Sequence, residues 1–435
     1  MPLAGSSPTR GWLLDLAPLR ESPAYARFWA SGVASGIGTQ LTAVAIAIHI
    51  YELSGSTAAV ALVGALALAP MVLMGAFGGT LVDAYDRRKV LIAASSISFV
   101  APVGIATIAW LDVQELWPYY VFTTLSSTVG ALVGAARFAI HPRLVPQHLL
   151  PAVAALSGVS AGLQSAVGPA LAGILVATVG FAWTYTIDVC LFLVGFWGIV
   201  SLPSIRPAVS SRVGIASIVE GMRFLRTARN LRTAIALQIA AFTFGRPYAI
   251  LPAVGAVLVG GDAWTVGILT SAGAVGVILS GLVSGPLGRV RRHGRAIALA
   301  TGAFAAAVAL FGVLLLIIER GRNDVAPDRV NIVALIGLCV ALLLAGAADN
   351  VANIFRTTMM QSATPDEMRG RLQGLYTLVL TAGPRLGDVY AGFIAALTML
   401  WFPPLIGAGL IAAVVVIYYR IRPGFREYDA EEPRP

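Results

Sequence analysis

Residues 78–89 read Gly78-Gly-Thr-Leu-Val-Asp83-Ala-Tyr-Asp-Arg87-Arg88-Lys89, and the fold follows from what stands on either side of them. Upstream, 57–82 is an almost unbroken apolar run; downstream, 89–111 is another. A membrane-spanning helix takes about 20 mostly apolar residues, so each run is long enough to cross a bilayer, and the charged stretch between them is a turn at its surface. Outward from there, apolar runs lie at 27–51, 116–140, 150–178 and 182–202. Past a basic interval they resume at 231–257, 264–288, 295–318, 331–355, 370–397 and 400–419. The expectation is an all-α membrane protein of twelve transmembrane helices in two six-helix, pseudo-symmetric bundles.

The halves echo one another. Gly79 to Asp83 leads into Arg87, Arg88 and Lys89 after the second run, and Gly285-Pro-Leu-Gly-Arg289 leads into Arg291, Arg292 and Arg295 after the eighth. The echo is partial, because Arg289 stands where the first half has Asp83. Internal repeats of this kind mark many secondary transporters. The domains expected are an N-terminal segment (1–26), a first bundle (27–202), a linker (203–230), a second bundle (231–419) and a tail (420–435).

Composition agrees. Of 435 residues, 57% are hydrophobic and only 12% charged, too few charges to cover the surface of a soluble chain of this size. A formal net charge of +9 invites a nucleic-acid partner, but the basic residues sit in short intervals between apolar runs. With the termini and alternate loops taken as cytoplasmic, the opposite side keeps only Arg320, Arg322 and Arg329, while Arg246 and Arg385 lie within spans. Such asymmetry is the positive-inside pattern and places both termini in the cytoplasm of a multi-pass cell-membrane protein. The first apolar run is long enough to remain as a span, and no cleavable signal peptide is expected.

The linker shows Ile215, Ile218, Val219, Met222 and Leu225 at helical spacing, with Arg223, Arg226 and Arg229 on another face. An amphipathic helix at the cytoplasmic membrane surface is expected there, tethering the two bundles.

Several chemistries are excluded or left without support. Lys89 is the sole lysine and lies outside any GxxxxGK[ST] motif, so the chain has no phosphate loop of its own and no embedded lysine for a retinal Schiff base. His49, His141, His148 and His293 are scattered, and Cys190 and Cys339 each lie in an apolar run, so neither a metal site nor a disulfide framework is indicated. Gly158-Val-Ser160-Ala-Gly162 matches a nucleophile-elbow pattern, but within an apolar helix instead of a strand-to-helix turn. No enzyme activity, cofactor or metal is expected.

Charge inside the membrane is the remaining signal, since it is costly and usually paired or functional. Arg385 and Asp388 are three apart on one face of the eleventh span. Asp349, Asn350 and Asn353 lie on the tenth, Arg246 on the seventh, Asp188 on the sixth near a membrane face, and Gln40 and Gln164 on the first and fifth. One reading is a polar cavity in which Asp349 or Asp388 carries a proton and an arginine holds an anionic substrate. The other is that Arg385 and Asp388 neutralise each other at a helix interface, and that Asp188 is structural. Pairs such as Gly32/Gly36, Gly75/Gly79, Gly130/Gly134, Gly281/Gly285 and Gly383/Gly387 permit close helix crossing.

The segment 78–89 resembles the loop signature of the major facilitator superfamily, with Ala84 where an arginine is usual. The resemblance implies that Asp83 faces the start of the eleventh helix and that Arg87 and Arg88 help latch the two halves, a contact whose breaking gates opening. Gly162, Gly168-Pro169 and Gly173 resemble the glycine-proline motif of the antiporter branch, with Ala172 replacing one glycine. Leu16 to Tyr25, the Asp86-Arg-Arg-Lys-Val90 loop, and Met360 to Leu375 followed by Gly387-Asp388 are similar to siderophore exporters and related drug:proton antiporters of that superfamily. What this implies is export of a small molecule, a siderophore or amphipathic drug, in exchange for protons by alternating access, from a monomer. The alternatives are an importer or facilitator of the same fold, or the membrane subunit of an ATP-driven complex.

Overall fold

The computed structural model describes residues 15–202, 215–285, 287, 290–321 and 330–430, with backbone alone at 76–84, 139, 142, 147, 151, 215–219, 262, 366, 367, 369 and 370. Its regular elements are all helical. The first spanning helix, α1 (Pro23–Ser54), starts behind Ser22, whose hydroxyl accepts the Tyr25 N–H at 3.2 Å, as an N-cap should. It ends at Gly55 in the left-handed conformation, and α2 (Thr57–Ala84) follows at once. Asp86 caps α3 (Arg87–Trp110) by accepting from the Arg88 N–H at 2.9 Å. The charged stretch that opened the sequence reading is therefore a turn with a built-in helix start.

After α4 (Trp117–Ile140), one long helical stretch, Leu150–Val200, is bent at Gly180, where φ is 80°. Glycine reaches that conformation without a Cβ clash, so the stretch is two spans, α5 (150–179) and α6 (181–200). The second half opens with a broken helix. α7 runs Arg229–Gly245, loses helical geometry at Arg246 (φ −104°, ψ 103°), and resumes through Tyr248–Ile250, Leu251–Ala253 and a π-helical turn, Val254–Val259. The cause is local: a residue before proline is driven out of the α region, and Pro247 has no N–H to continue the ladder. Then follow α8 (Asp262–Leu282), α9 (His293–Arg320), α10 (Ile332–Ala363), α11 (Asp366–Leu397) and α12 (Phe402–Ile421).

Ten helices among the described residues are long and apolar enough to cross a membrane, one of them being the joined α5–α6 stretch. With those two counted apart and α11 added, the described residues hold twelve candidate spans, consistent with the expected number. α11 falls short on apolarity because it carries Arg385 and Asp388, and a helix packed against α2 and α7 need not be apolar all round. Some boundaries move: α8 ends at Leu282, short of 288.

In lipid, helices associate through close packing, and the packing here is uneven along the molecule. At the end carrying both termini, Phe28, Leu91 and Ala136 belong to a core drawn from the first half alone, and Leu231, Ile297 and Tyr376 to one drawn from the second half alone. At the opposite end, Ile46, Ile50, Ile250, Val254 and Leu338 share one core built from both halves.

Two seams join the halves. Along α5 and α8, a Cβ at Gly173 would sit 2.7 Å from the Ala263 carbonyl oxygen, one at Gly162 would meet only the Ile278 side chain at 3.2 Å, and one at Gly158 would meet nothing within 4 Å. Along α2 and α11, Thr57 donates its hydroxyl to the Gly392 carbonyl at 2.9 Å, and a Cβ at Gly392 would lie 2.7 Å from the Thr57 carbonyl oxygen. Farther along, a Cβ at Gly64 would stand 3.3 Å from Asp388 Cβ, and one at Gly75 would be 4.0 Å from Leu378. The α5–α8 seam is tightest away from the termini and loosens toward them, while the α2–α11 seam stays in contact as far as Gly75 and Leu378.

The linker carries the helix Ile215–Thr227; residues 203–214 lie outside those described. Its buried stripe beside α11 is Gly221 and Leu225, followed by Ala228 just past its end, while Met222, expected on the apolar face, is 49% exposed. Glu220 pairs with Arg371 at 2.8 Å, and a Cβ at Gly221 would lie 3.4 Å from the Arg371 carbonyl oxygen.

Candidate functional site: a charged cavity between the halves

A cavity of about 370 Å³ lies where the two halves meet, within the range of small-molecule sites. Its lining is mostly apolar, with Gln40, Ser165, Tyr248 and Thr270 among the polar side chains and four charged ones: Arg246, Asp349, Arg385 and Asp388.

The break in α7 puts Arg246 there. As the C-cap of Arg229–Gly245, its cation sits at the negative end of that helix. Its guanidinium stacks on Phe242, 4.3 Å from the ring centroid, and reaches Asp349 Oδ2 on α10 at 3.3 Å. The other carboxylate oxygen, Asp349 Oδ1, is buried without a hydrogen-bond partner among the described residues. On α11, Arg385 Nη1 stands 3.7 Å from Asp388 Oδ2. Gly383 and Gly387 let α11 close on the break: a Cβ at Gly383 would press on the Phe242 ring at 2.7 Å, and one at Gly387 would come within 3.2 Å of Arg246 Cβ. That spacing, read as generic packing in the sequence, is what brings the α11 pair beside the α7–α10 pair.

The four charges cancel formally. A carboxylate in such a quartet can accept a proton or accept hydrogen bonds from a bound molecule, and doing one opposes the other.

Comparison with known proteins then settles the family. Residues 14–435 match the family model described as transmembrane secretion effector. The chain belongs to that family of the major facilitator superfamily. Curated relatives include enterobactin exporters from Shigella boydii serotype 18 and from Escherichia coli O1:K1 / APEC, each 28% identical and aligned over 89% of both chains. Solved structures with the same fold include a nucleoside transporter (TM-score 0.67, 14% identical, covering 92% of this chain and 100% of that one). Another is a bacterial homologue of the iron transporter ferroportin in an inward-facing state (TM-score 0.67, 12% identical, 91% and 98% covered). The protein is a multi-pass membrane transporter.

The transporter's other expected site residues distribute as follows. Gln40 lines the central cavity, whereas Gln164 lines a second cavity inside the first bundle and donates to the Gly32 carbonyl at 3.4 Å. Asn353 is drawn away from the central cavity, accepting from the Tyr376 hydroxyl at 2.8 Å between α10 and α11, and Asn350 donates to Ser280 Oγ on α8 at 3.0 Å. Asp188 accepts from the Thr42 hydroxyl of α1 and is buried about 10 Å into α6, deeper than expected. In the antiporter-like motif, Pro169 lines the cavity, Gly162 and Gly173 face α8, and a Cβ at Gly168 would lie 2.5 Å from Gln40 Cβ, so Gly168 brings α5 onto α1. Arg88 donates to the Val200 carbonyl at 2.7 Å, tying α3 to α6 within the first half. The side chain of Asp83 and all of Arg289 lie outside the described residues.

Two charges were missed because only Arg246 and Arg385 were placed within spans and every other basic residue was left to the intervals between runs. Arg356 on α10 is 1% exposed, bonded to Thr301 Oγ1 at 3.3 Å, with Nε and Nη1 unpartnered. Arg137 on α4 projects into the second cavity. The available signal was position: Arg137 lies within the apolar run 116–140, and Arg356 one residue past the run 331–355.

Proposed function

We propose that this transporter exports a small molecule, a siderophore or amphipathic drug, in exchange for protons, with both termini cytoplasmic and a single chain as the working unit. The observation that carries this is the Arg246–Asp349 pair facing, with Arg385 and Asp388, one cavity between halves that share a core at the end away from the termini and, along α5 and α8, loosen toward the other. With the termini in the cytoplasm, that shape opens inward and presents the cavity to a cytoplasmic substrate. Asp349 or Asp388 carries the proton. Substrate donor groups and the proton compete for the same carboxylate, and such mutual exclusion is what exchange requires. Closing the splayed end and opening the other would move the site across the membrane by rocking one bundle against the other. Asp83, Arg87 and Arg88 would latch the halves when that end closes.

The siderophore class is supported by likeness to enterobactin exporters over most of the chain. The experiment compares small molecules released by wild-type and deletion cells grown without iron. Loss of an iron chelator from the medium with its accumulation inside cells is the expected result; unchanged secretion removes the siderophore reading and leaves drug efflux. Transport by the purified chain in vesicles, driven by imposed pH gradients of either sign, separates exchange from facilitated diffusion, which ignores them.

A further inference from the structure

The first bundle holds a second cavity, of about 350 Å³, enclosed by α1, α3, α4, α5 and α6 and touching the central one at Gln40. Arg137 is the one formally charged side chain in its lining. Arg246 and Arg385 in the central cavity each have a carboxylate beside them, and Arg356 is sealed in the second bundle. Arg137 has no carboxylate partner among the described residues; its polar contact is Nη2 to Ser35 Oγ at 3.4 Å, and its guanidinium lies 5.1 Å from the Phe28 ring centroid.

The surroundings are built to place that cation. A Cβ at Gly32 would fall 2.6 Å from Arg137 Nη1, so the missing side chain on α1 lets the guanidinium lie against the helix. Ser95 and Ser98, a helical turn apart on α3, and Ser126 on α4 line the same space. Most hydroxyls of this protein donate to a carbonyl one turn back, as Ser160 and Thr39 do, but these three make no such bond among the described residues. Free hydroxyl donors and a guanidinium thus line a space to which no described residue supplies an anion. An embedded cation left unpaired in the membrane is costly, and a ligand can provide the missing charge. The remaining walls include Phe28, Trp29, Phe192 and Phe196, which favour a flat apolar body.

We propose that this cavity is a binding site for a small aromatic anion, its carboxylate or phenolate held by Arg137 and the Ser95 and Ser98 hydroxyls and its ring set among the four aromatic side chains. The site stands on the first bundle alone and does not depend on proton exchange in the central cavity. With the termini in the cytoplasm it is entered from that side and adjoins the central cavity through Gln40.

The test is calorimetric titration of the detergent-purified full-length transporter with 1-naphthoate and with neutral 1-naphthamide. Naphthoate should bind, and the amide at least tenfold more weakly. Arg137→Gln should weaken naphthoate at least tenfold. Gly134→Leu is a second variant that leaves the arginine in place: Gly134 lines the cavity and a Cβ there meets nothing within 4 Å, so a leucine takes up cavity space and should abolish binding. Absence of naphthoate binding, equal binding of acid and amide, or unchanged affinity in both variants would overturn the proposal. So would loss in Arg246→Gln with retention in Arg137→Gln, because the anion would then sit in the central cavity.

Discussion

Arg246, freed from helical geometry by Pro247, reaches across to Asp349 at 3.3 Å, joining the break in α7 to the middle of α10. Both side chains are largely buried, so removing one partner strands the other in a poorly solvated place. Asp349→Asn should abolish transport driven by an imposed pH gradient if Asp349 carries the proton, while counterflow of substrate persists. Asp388→Asn is the parallel test on α11. Vesicle assays that show full gradient-driven transport in both variants would remove the carboxylates from coupling.

The closed seam is set by glycine. A side chain at Gly173 would strike the Ala263 carbonyl oxygen and the Gly267 Cα, both within 2.9 Å. Gly173→Leu should force α5 from α8 and open the end away from the termini. In a protein with Cys190 and Cys339 replaced and a reporter Ile46→Cys lining the cavity, an impermeant maleimide added on that side should label faster. Transport should fall at least tenfold.

Thr57→Val on the other seam removes one hydrogen bond to Gly392 and little volume. A single bond contributes about 1 kcal/mol, so the balance between the two states should shift about fivefold. The same labelling experiment should report a rise much smaller than for Gly173→Leu.

Arg356 makes an opposite prediction. A buried cation with unpartnered N–H groups carries a desolvation penalty of roughly several kcal/mol that an apolar side chain of similar length avoids. Arg356→Met should raise the melting temperature of the purified protein by several degrees. A lower melting temperature would show that Arg356 has an anionic partner in another state.

The Glu220–Arg371 pair that docks the linker helix is more than 40% exposed on both sides, and such pairs contribute about 0–1 kcal/mol. Glu220→Gln should change the melting temperature by no more than about 2 °C. A large drop would mean that the linker helix is held mainly by this pair and not by Leu225 and Ala228.

The twelve-helix layout was legible because each span is a local property: a run of apolar residues must cross the bilayer whatever its neighbours do. Residues 78–89 marked one turn, and the Asp86 cap shows why the chain reverses there. Arg246, Asp349, Arg385 and Asp388 were legible as embedded charges for the same reason. Their assembly was not. Asn353 and Gln164 carry the same polar signal, yet one is spent between α10 and α11 and the other faces a different cavity. Arg137 and Arg356 were left to the intervals between runs because an apolar run does not show where a long side chain turns.

What the sequence by itself determined is therefore the solvent, the layout of the crossings and the charges at the middle of spans, though not Arg137 and Arg356 near their ends, all fixed by the transfer cost of individual residues. Which charges meet was decided only in three dimensions. The Arg246-Pro247 break turns one cation across to α10, Gly383 and Gly387 bring α11 against it, and the Gly173 contact holds the halves together at one end. Those relationships join residues far apart in the chain, where packing and not periodicity sets the distance.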